Sequence, residues 1–402
     1  MLRRDPVRAM VCEMLLGVAL HVATVAAFAA PYLPPSDDVV VQKLSARVSA
    51  QERQRRAAMQ RGETIDLGAA VAAADLGLRQ ARATGDPREV GAAQAVLAPW
   101  WSLENPPPQV RLLRATIAQN QHRFADALKD LDALVLGPAT VDAALRRQAL
   151  LTRASVHQVQ GRLDKAKADC TALQVSPSRA GSSDTSRLYA QACLSELMTL
   201  QGAPRDGAES LARLQSQSPQ SPWLALLRGE MAQRAGDVAT ADKNFQLASA
   251  SGGDIYTIAA HADWLIERGQ HAQALVLLQT AAGEADAVLL RMAIALKRSQ
   301  GPDAAAVAAT LRDRLAAARE RGTTLHEREE ARLALDVDDQ PTQAWRLAKL
   351  NWQVQKEPAD ALLYVRAAVA ADQRAEALAL VKSLQASGWH DVRLAQALSI
   401  KR

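Results

Sequence analysis

From residue 65 onward, small and apolar residues return every three or four positions, and glycines interrupt the pattern at wide intervals. Apolar residues at that spacing predict amphipathic helices, and a glycine closing each one marks the turn to the next. Aligned on Gly161, Gly202, Gly236, Gly269 and Gly301, the turns lie 41, 34, 33 and 32 residues apart. The long interval holds the polar run from Ser176 to Ser183, which reads as an enlarged loop. Without it the period is close to 34.

Residue sizes recur around the same turns. Seven positions before the glycine stand Ala154, Ser195, Gly229 and Ala262, all small, as two closely crossing helices require. Five positions after it stand Ala166, Gly207, Ala241 and Ala274. Cys170, Leu211, Phe245 and Leu278 follow at nine, and Leu173, Leu214, Ala248 and Ala281 at twelve. This pattern resembles the tetratricopeptide repeat (TPR), a 34-residue helix-turn-helix unit with small residues at its helix crossing. Gly229, Ala232, Gly236, Ala241, Phe245 and Ala248 form the best-matching unit, and Pro219 ends the one before it. An earlier unit is expected around Ala115, Ala118, Ala127 and Leu131, with less regular ones around Ala344 and Ala377. Leu or Ala mostly replaces the large aromatic typical of the first helix, which leaves the repeat number open. The resemblance implies an all-α fold, an α-solenoid of TPR-like helix-turn-helix repeats in a right-handed superhelix. It spans residues 65–400 and is clearest over about 147–301.

Two stretches escape the period. Residues 30–64 form a linker and basic lead-in, with Ser36-Asp37-Asp38 as a possible helix cap and Arg47, Arg53, Arg55, Arg56 and Arg61 behind it. A solvated lead-in is favoured, with a basic helix on anionic head groups as the alternative. Pro99-Trp100-Trp101-Ser102 through Pro108 reads as a long loop across the end of a repeat, the tryptophans needing cover, with ligand binding by the tryptophans as the alternative.

Composition agrees with helix: 49% of residues are hydrophobic but only 3% aromatic, and Ala and Leu dominate. The net charge of +5 arises from 48 basic and 43 acidic residues spread along the chain, so no basic face beside stacking aromatics argues for nucleic acid. Residues 1–29 stand apart as an export signal. Arg3, Arg4 and Arg8 precede a 17-residue apolar run, Met14 to Ala30, in which Ala27-Phe28-Ala29 has the small-x-small cleavage pattern. The run is short for a membrane span, and Pro31, Pro34 and Pro35 follow it, so cleavage after Ala29 is favoured. Glu13 at its edge keeps an uncleaved anchor open, the one condition under which membrane association is expected. The resulting location is periplasmic or secreted, the bacterial setting following from resemblance to exported TPR proteins. Export leaves Cys170 and Cys193, a candidate disulfide whose alternative is two buried small residues.

No nucleophile elbow, phosphate loop, dinucleotide fingerprint or SxxK pair occurs. His326-Glu327-Arg328-Glu329-Glu330 lacks the second histidine of a zinc-protease helix, and the other histidines show no ligand spacing. The expectation is a protein that is not an enzyme and has no metal or cofactor. A cell-wall-acting enzyme of superhelical type and a membrane-anchored assembly factor remain the alternatives.

The first helices carry one more regularity. Thirteen positions before the turn glycines stand Tyr189, Trp223 and Tyr256, and six before them Glu196, Glu230 and Asp263. Seven residues bring a helix to within about 20° of two full turns, so each aromatic shares a face with its carboxylate. The units on either side break the rows with Gln148 and Ser155, and with Val288 and Ala295. These six residues are the candidate ligand surface, on the concave groove of a non-catalytic periplasmic scaffold that binds a protein or a basic, extended peptide. The competing reading is an aromatic staple at each helix start beside a solvated acidic face.

Overall fold

The computed structural model describes residues 66–400 except 139–140, 176–184, 251–252, 282–284 and 321–326, together with Ala50, Arg53 and Ala57. The signal, most of the basic lead-in, the polar run after Val175 and His326 lie outside the described residues. Within them the chain is all-α, with twenty helices and no strand.

Nine antiparallel helix pairs follow one another. The first two are α1 (Leu67–Thr84) with α2 (Pro87–Val96) and, after the short α3 (Ala98–Trp101), α4 (Pro108–Asn120) with α5 (Phe124–Val135). Next come α6 (Ala143–Val159) with α7 (Leu163–Val175), and α8 (Thr185–Leu200) with α9 (Pro204–Gln217). The central pairs are α10 (Pro222–Ala235) with α11 (Val238–Ser249), and α12 (Ile255–Glu267) with α13 (His271–Leu278). Then follow α14 (Asp286–Arg298) with α15 (Ala304–Glu320), and α16 (Glu327–Asp336) with α17 (Pro341–Val354). The last pair, α18 (Pro358–Ala370) with α19 (Arg374–Ala386), leads into α20 (Val392–Ser399). Many helices start on a capping Asp or Ser, as at Asp66, Asp142, Ser221 and Asp254, or with proline in the first turn, where its missing N–H costs nothing.

The turn inside every pair contains one residue with positive φ. Glycine supplies it at Gly85, Gly161, Gly202, Gly236 and Gly269, but His122, Gln300, Asp339 and Asp372 supply the other four. The seventh turn therefore pivots on Gln300, one residue before the glycine expected to mark it.

The small crossing residues are buried, and at Gly229 the reason is visible: a Cβ there would lie 3.2 Å from the Phe245 ring. The earlier unit exists as α4 and α5, with Ala115, Ala118, Ala127 and Leu131 buried between neighbours. Its helices are also clamped by a bidentate ion pair, Arg114 Nε and Nη2 to the Asp130 carboxylate at 2.6 and 2.7 Å, repeated in the next unit by Arg153 and Asp169.

The double-tryptophan segment differs from the expected loop. Pro99 sits in the first turn of α3, where proline is tolerated, and Trp100 and Trp101 pack half-buried against the α1–α2 core.

The windings of the solenoid touch. Gly85, at the first turn, lies against Ile255 and Ala285. The Lys356 amide donates to the Val159 carbonyl at 2.7 Å, and the Gln355 amide meets the His122 ring at 2.9 Å across 233 residues of chain. Farther on, Gly388 meets Gly202 and Val392 covers Gly236. The loops before α18 and α20 thus rest on the turns of α6–α7, α8–α9 and α10–α11. An open solenoid would present its concave face as a groove; here later helices of the same chain close over it.

Candidate binding recess between two windings

Closure leaves a partly open recess of about 180 Å³ between α8, α10 and α12 on one side and α16, α18 and α20 on the other. Glu196, Glu230, Tyr256 and Asp263 line it. Tyr189 and Trp223 stand outside this lining and meet each other edge to face, with ring centroids 4.9 Å apart. The three aromatics keep 36%, 40% and 57% of their surface in the order Tyr189, Trp223, Tyr256. Tyr256 is both the most exposed of them and densely surrounded by protein, as fits a side chain in a recess that water enters.

The three carboxylates have three different environments. Asp263 is held by Arg291 Nη2 at 2.6 Å and, from α16, by both Nη atoms of Arg332 at 2.9 Å. Burial works against its charge, but the two guanidiniums prevail and hold its pKa at about 2. Its charge is answered from within, by arginines far along the chain.

Glu230 is the opposite case. Burial pushes its pKa up to about 7, and Glu196 and Glu357 add repulsion, against the pull of a hydrogen bond from the Tyr256 hydroxyl at 2.7 Å and of Arg234. Among the described residues Glu196 has a single long ion pair, to Arg234 at 3.9 Å.

Three further features were missed by the sequence reading. Glu357 enters beside the acidic row, bound by Arg328 at 2.5 Å, and burial raises its pKa. Glu267 accepts from Gln233 Nε2 at 2.7 Å and is likewise raised by burial. Arg328, Arg366 and Arg393 reach the recess already paired, with Asp360, Asp336 and Asp391. The expected acidic face is therefore a mixed-charge lining in which cations from α14, α16, α18 and α20 meet the row. Contacts between residues so distant leave no local sequence signal.

Cys170 of α7 and Cys193 of α8 are joined by a disulfide, with Cα atoms 6.3 Å apart. Among the described residues no group of side chains has the makeup of a metal site, and no helix is long and apolar enough to cross a membrane.

In architecture the chain is a tetratricopeptide-type solenoid. No protein family description matches it, and no curated protein does. Among solved structures it is similar to a tetratricopeptide repeat protein from Parabacteroides merdae, with 15% identity over 63% of this chain and 99% of that one, at a TM-score of 0.38. It is similar also to an IFIT1 monomeric mutant with Gppp-AAAA, with 13% identity over 89% and 86% of the two chains and a TM-score of 0.41. Yeast Tom70 is 13% identical over 88% and 94%, at a TM-score of 0.33. The helix-pair packing above, not these likenesses, carries the description of the fold.

Proposed function

We propose that this chain is an exported, non-catalytic binding scaffold that docks a protein or an extended basic peptide across the mouth of the recess. The observation that carries this reading is the aromatic row. Among the described residues, Tyr189, Trp223 and Tyr256 are the aromatics with the most exposed surface, and they stand on three consecutive first helices. Aromatic surface left in water on adjoining helices is the mark of a surface that a partner covers. Glu196 and Glu230 lie just inside, where a Lys or Arg side chain of the partner would meet them while its stem crosses the rings. Asp263 is occupied by its own arginines, so the charge part of the reading rests on two carboxylates, not three.

The Cys170–Cys193 bridge supports export, because such bonds persist in oxidising compartments. An intact mass beginning at Ala30 would agree with a cleaved signal. A full-length mass in the membrane fraction would replace this reading with that of an anchored assembly factor.

The test of docking is capture of partners from periplasmic extract by the mature chain and by a Tyr189→Ser, Trp223→Ser double variant. Both side chains are substantially exposed, so helicity and melting should hold while capture is lost. Capture that survives the double substitution unchanged would place docking elsewhere.

A further inference from the structure

The recess has unmet electrostatic needs of both signs. Glu196, Glu230 and Glu357 repel one another there, with Glu357 sharing Arg328 with Asp360 and Glu230 held by a neutral phenol. Beside them is a buried cation that its nearest carboxylate matches only at long range. Arg234 is only 5% exposed, its Nε has no hydrogen-bond partner among the described residues, and its Nη2 reaches the Thr199 hydroxyl at 3.5 Å and Glu196 at 3.9 Å. A buried guanidinium so poorly matched is costly unless something else completes its bonding. Lys356 lines the same recess and makes no ion pair among the described residues. The remaining charged groups are already matched: Asp263 by Arg291 and Arg332, Arg366 by Asp336, and Arg393 by Asp391 with Glu267 at 4.0 Å.

We infer that the recess is also a small-molecule site, for a free basic α-amino acid whose ammonium groups enter among Glu196, Glu230 and Glu357 and whose carboxylate meets Arg234 and Lys356. A purely cationic ligand would satisfy the glutamates and leave Arg234 as it is, and a simple carboxylate would do the reverse. A dibasic amino acid, with two ammonium groups and one carboxylate, answers both. Size agrees: one water needs roughly 10 to 15 Å³ of such space, so 180 Å³ accommodates a ligand of this kind. The inference shares Glu196 and Glu230 with the docking reading but uses neither Tyr189 nor Trp223, which lets the two be separated.

Isothermal titration of the mature chain at about pH 8, above the Glu230 value of about 7, tests it with three probes: L-lysine, 1,5-diaminopentane and hexanoate. L-lysine should bind, the diamine should bind about tenfold more weakly for want of its carboxylate, and hexanoate should give no heat. Arg234→Gln should weaken L-lysine about tenfold and leave the diamine bound at least as tightly, since the cation beside Glu196 is gone, a pattern that mere loss of stability would not produce. Glu230→Gln keeps an acceptor for Tyr256 and should weaken both amines. Trp223→Ser should leave L-lysine binding intact even where partner capture is lost. The inference is overturned if the diamine binds as tightly as L-lysine, if Arg234→Gln weakens both alike, or if none of the probes binds at millimolar concentration.

Discussion

Tyr256 and Glu230, on the first helices of adjacent units, share a 2.7 Å hydrogen bond in which the phenol donates to the carboxylate. The bond does not offset burial and the neighbouring Glu196 and Glu357, so Glu230 titrates near 7 in place of 4.5. Between those values the folded chain keeps a proton that the unfolded chain has released. The resulting stabilisation is full below about 4.5 and is lost as pH rises through about 7. Glu267 and Glu357, also raised by burial, add to the same slope.

Glu230→Gln should therefore stabilise the chain where the native carboxylate is charged. Glutamine keeps an oxygen for Tyr256 and carries no charge to desolvate. Melting followed by circular dichroism should show the variant above the parent at about pH 8, the difference closing below about 4.5. Equal melting at the alkaline end would mean that Glu230 is well solvated.

Asp263 behaves in the opposite sense. Its pKa is depressed to about 2, so its stabilisation is present above 3.8 and lost as pH falls through about 2. Asp263→Asn leaves Arg291 and Arg332 facing each other in a recess without their shared counterion. The expected loss is about 3 kcal/mol in chemical denaturation. A loss well under 1 kcal/mol, the scale of exposed pairs, would show the cluster to be solvent-screened.

The bridge between Cys170 and Cys193 closes a loop with a sequence separation of 23. Loops of this size correspond to roughly 3 kcal/mol in the chain-entropy account. A Cys170→Ala, Cys193→Ala variant should lose stability on that scale and leave the partner-free chain helical. Two reactive thiols in the unreduced, denatured native protein would rule the bond out.

What could be read from the sequence was whatever repeats locally. Gly161, Gly202, Gly236 and Gly269 marked their turns because the left-handed conformation favours glycine, and the crossing residues followed at fixed offsets. The turns at His122, Gln300, Asp339 and Asp372 stayed hidden because non-glycine residues hold the same conformation there. The ion pairs Arg114–Asp130 and Arg153–Asp169 are each 16 residues apart and repeat across two units, a regularity open to a search of polar positions. The recess is another matter. Its row of aromatics and carboxylates was visible on three helices, but Arg332 meets Asp263 from 69 residues away and Gln355 meets His122 from 233. Those contacts follow from how far the solenoid turns per unit, a sum of small rotations that no single unit encodes.

Among the contacts between windings, the one at Gly388 is backbone against backbone. With φ at +87°, it faces Gly202, and an added Cβ would lie 2.7 Å from the Gly202 nitrogen and 2.8 Å from the Gln201 carbonyl carbon. Both are backbone atoms, so no side chain can swing aside. Gly388→Ala should push the α19–α20 loop off the α8–α9 turn and strain the left-handed backbone, at a cost of about 2 kcal/mol. Hydrogen exchange should then accelerate at the backbone around Gly202 and at the Lys356 amide, which donates to Val159 across the same seam. Gly91 supplies the control, since a Cβ there meets nothing within 4 Å, and in α2 an alanine should stabilise by about 0.5 to 1 kcal/mol. If Gly388→Ala leaves exchange at both places as slow as in the parent, the windings are not held together at this point, and closure of the recess depends on the ion pairs of Asp263 and Arg332 instead.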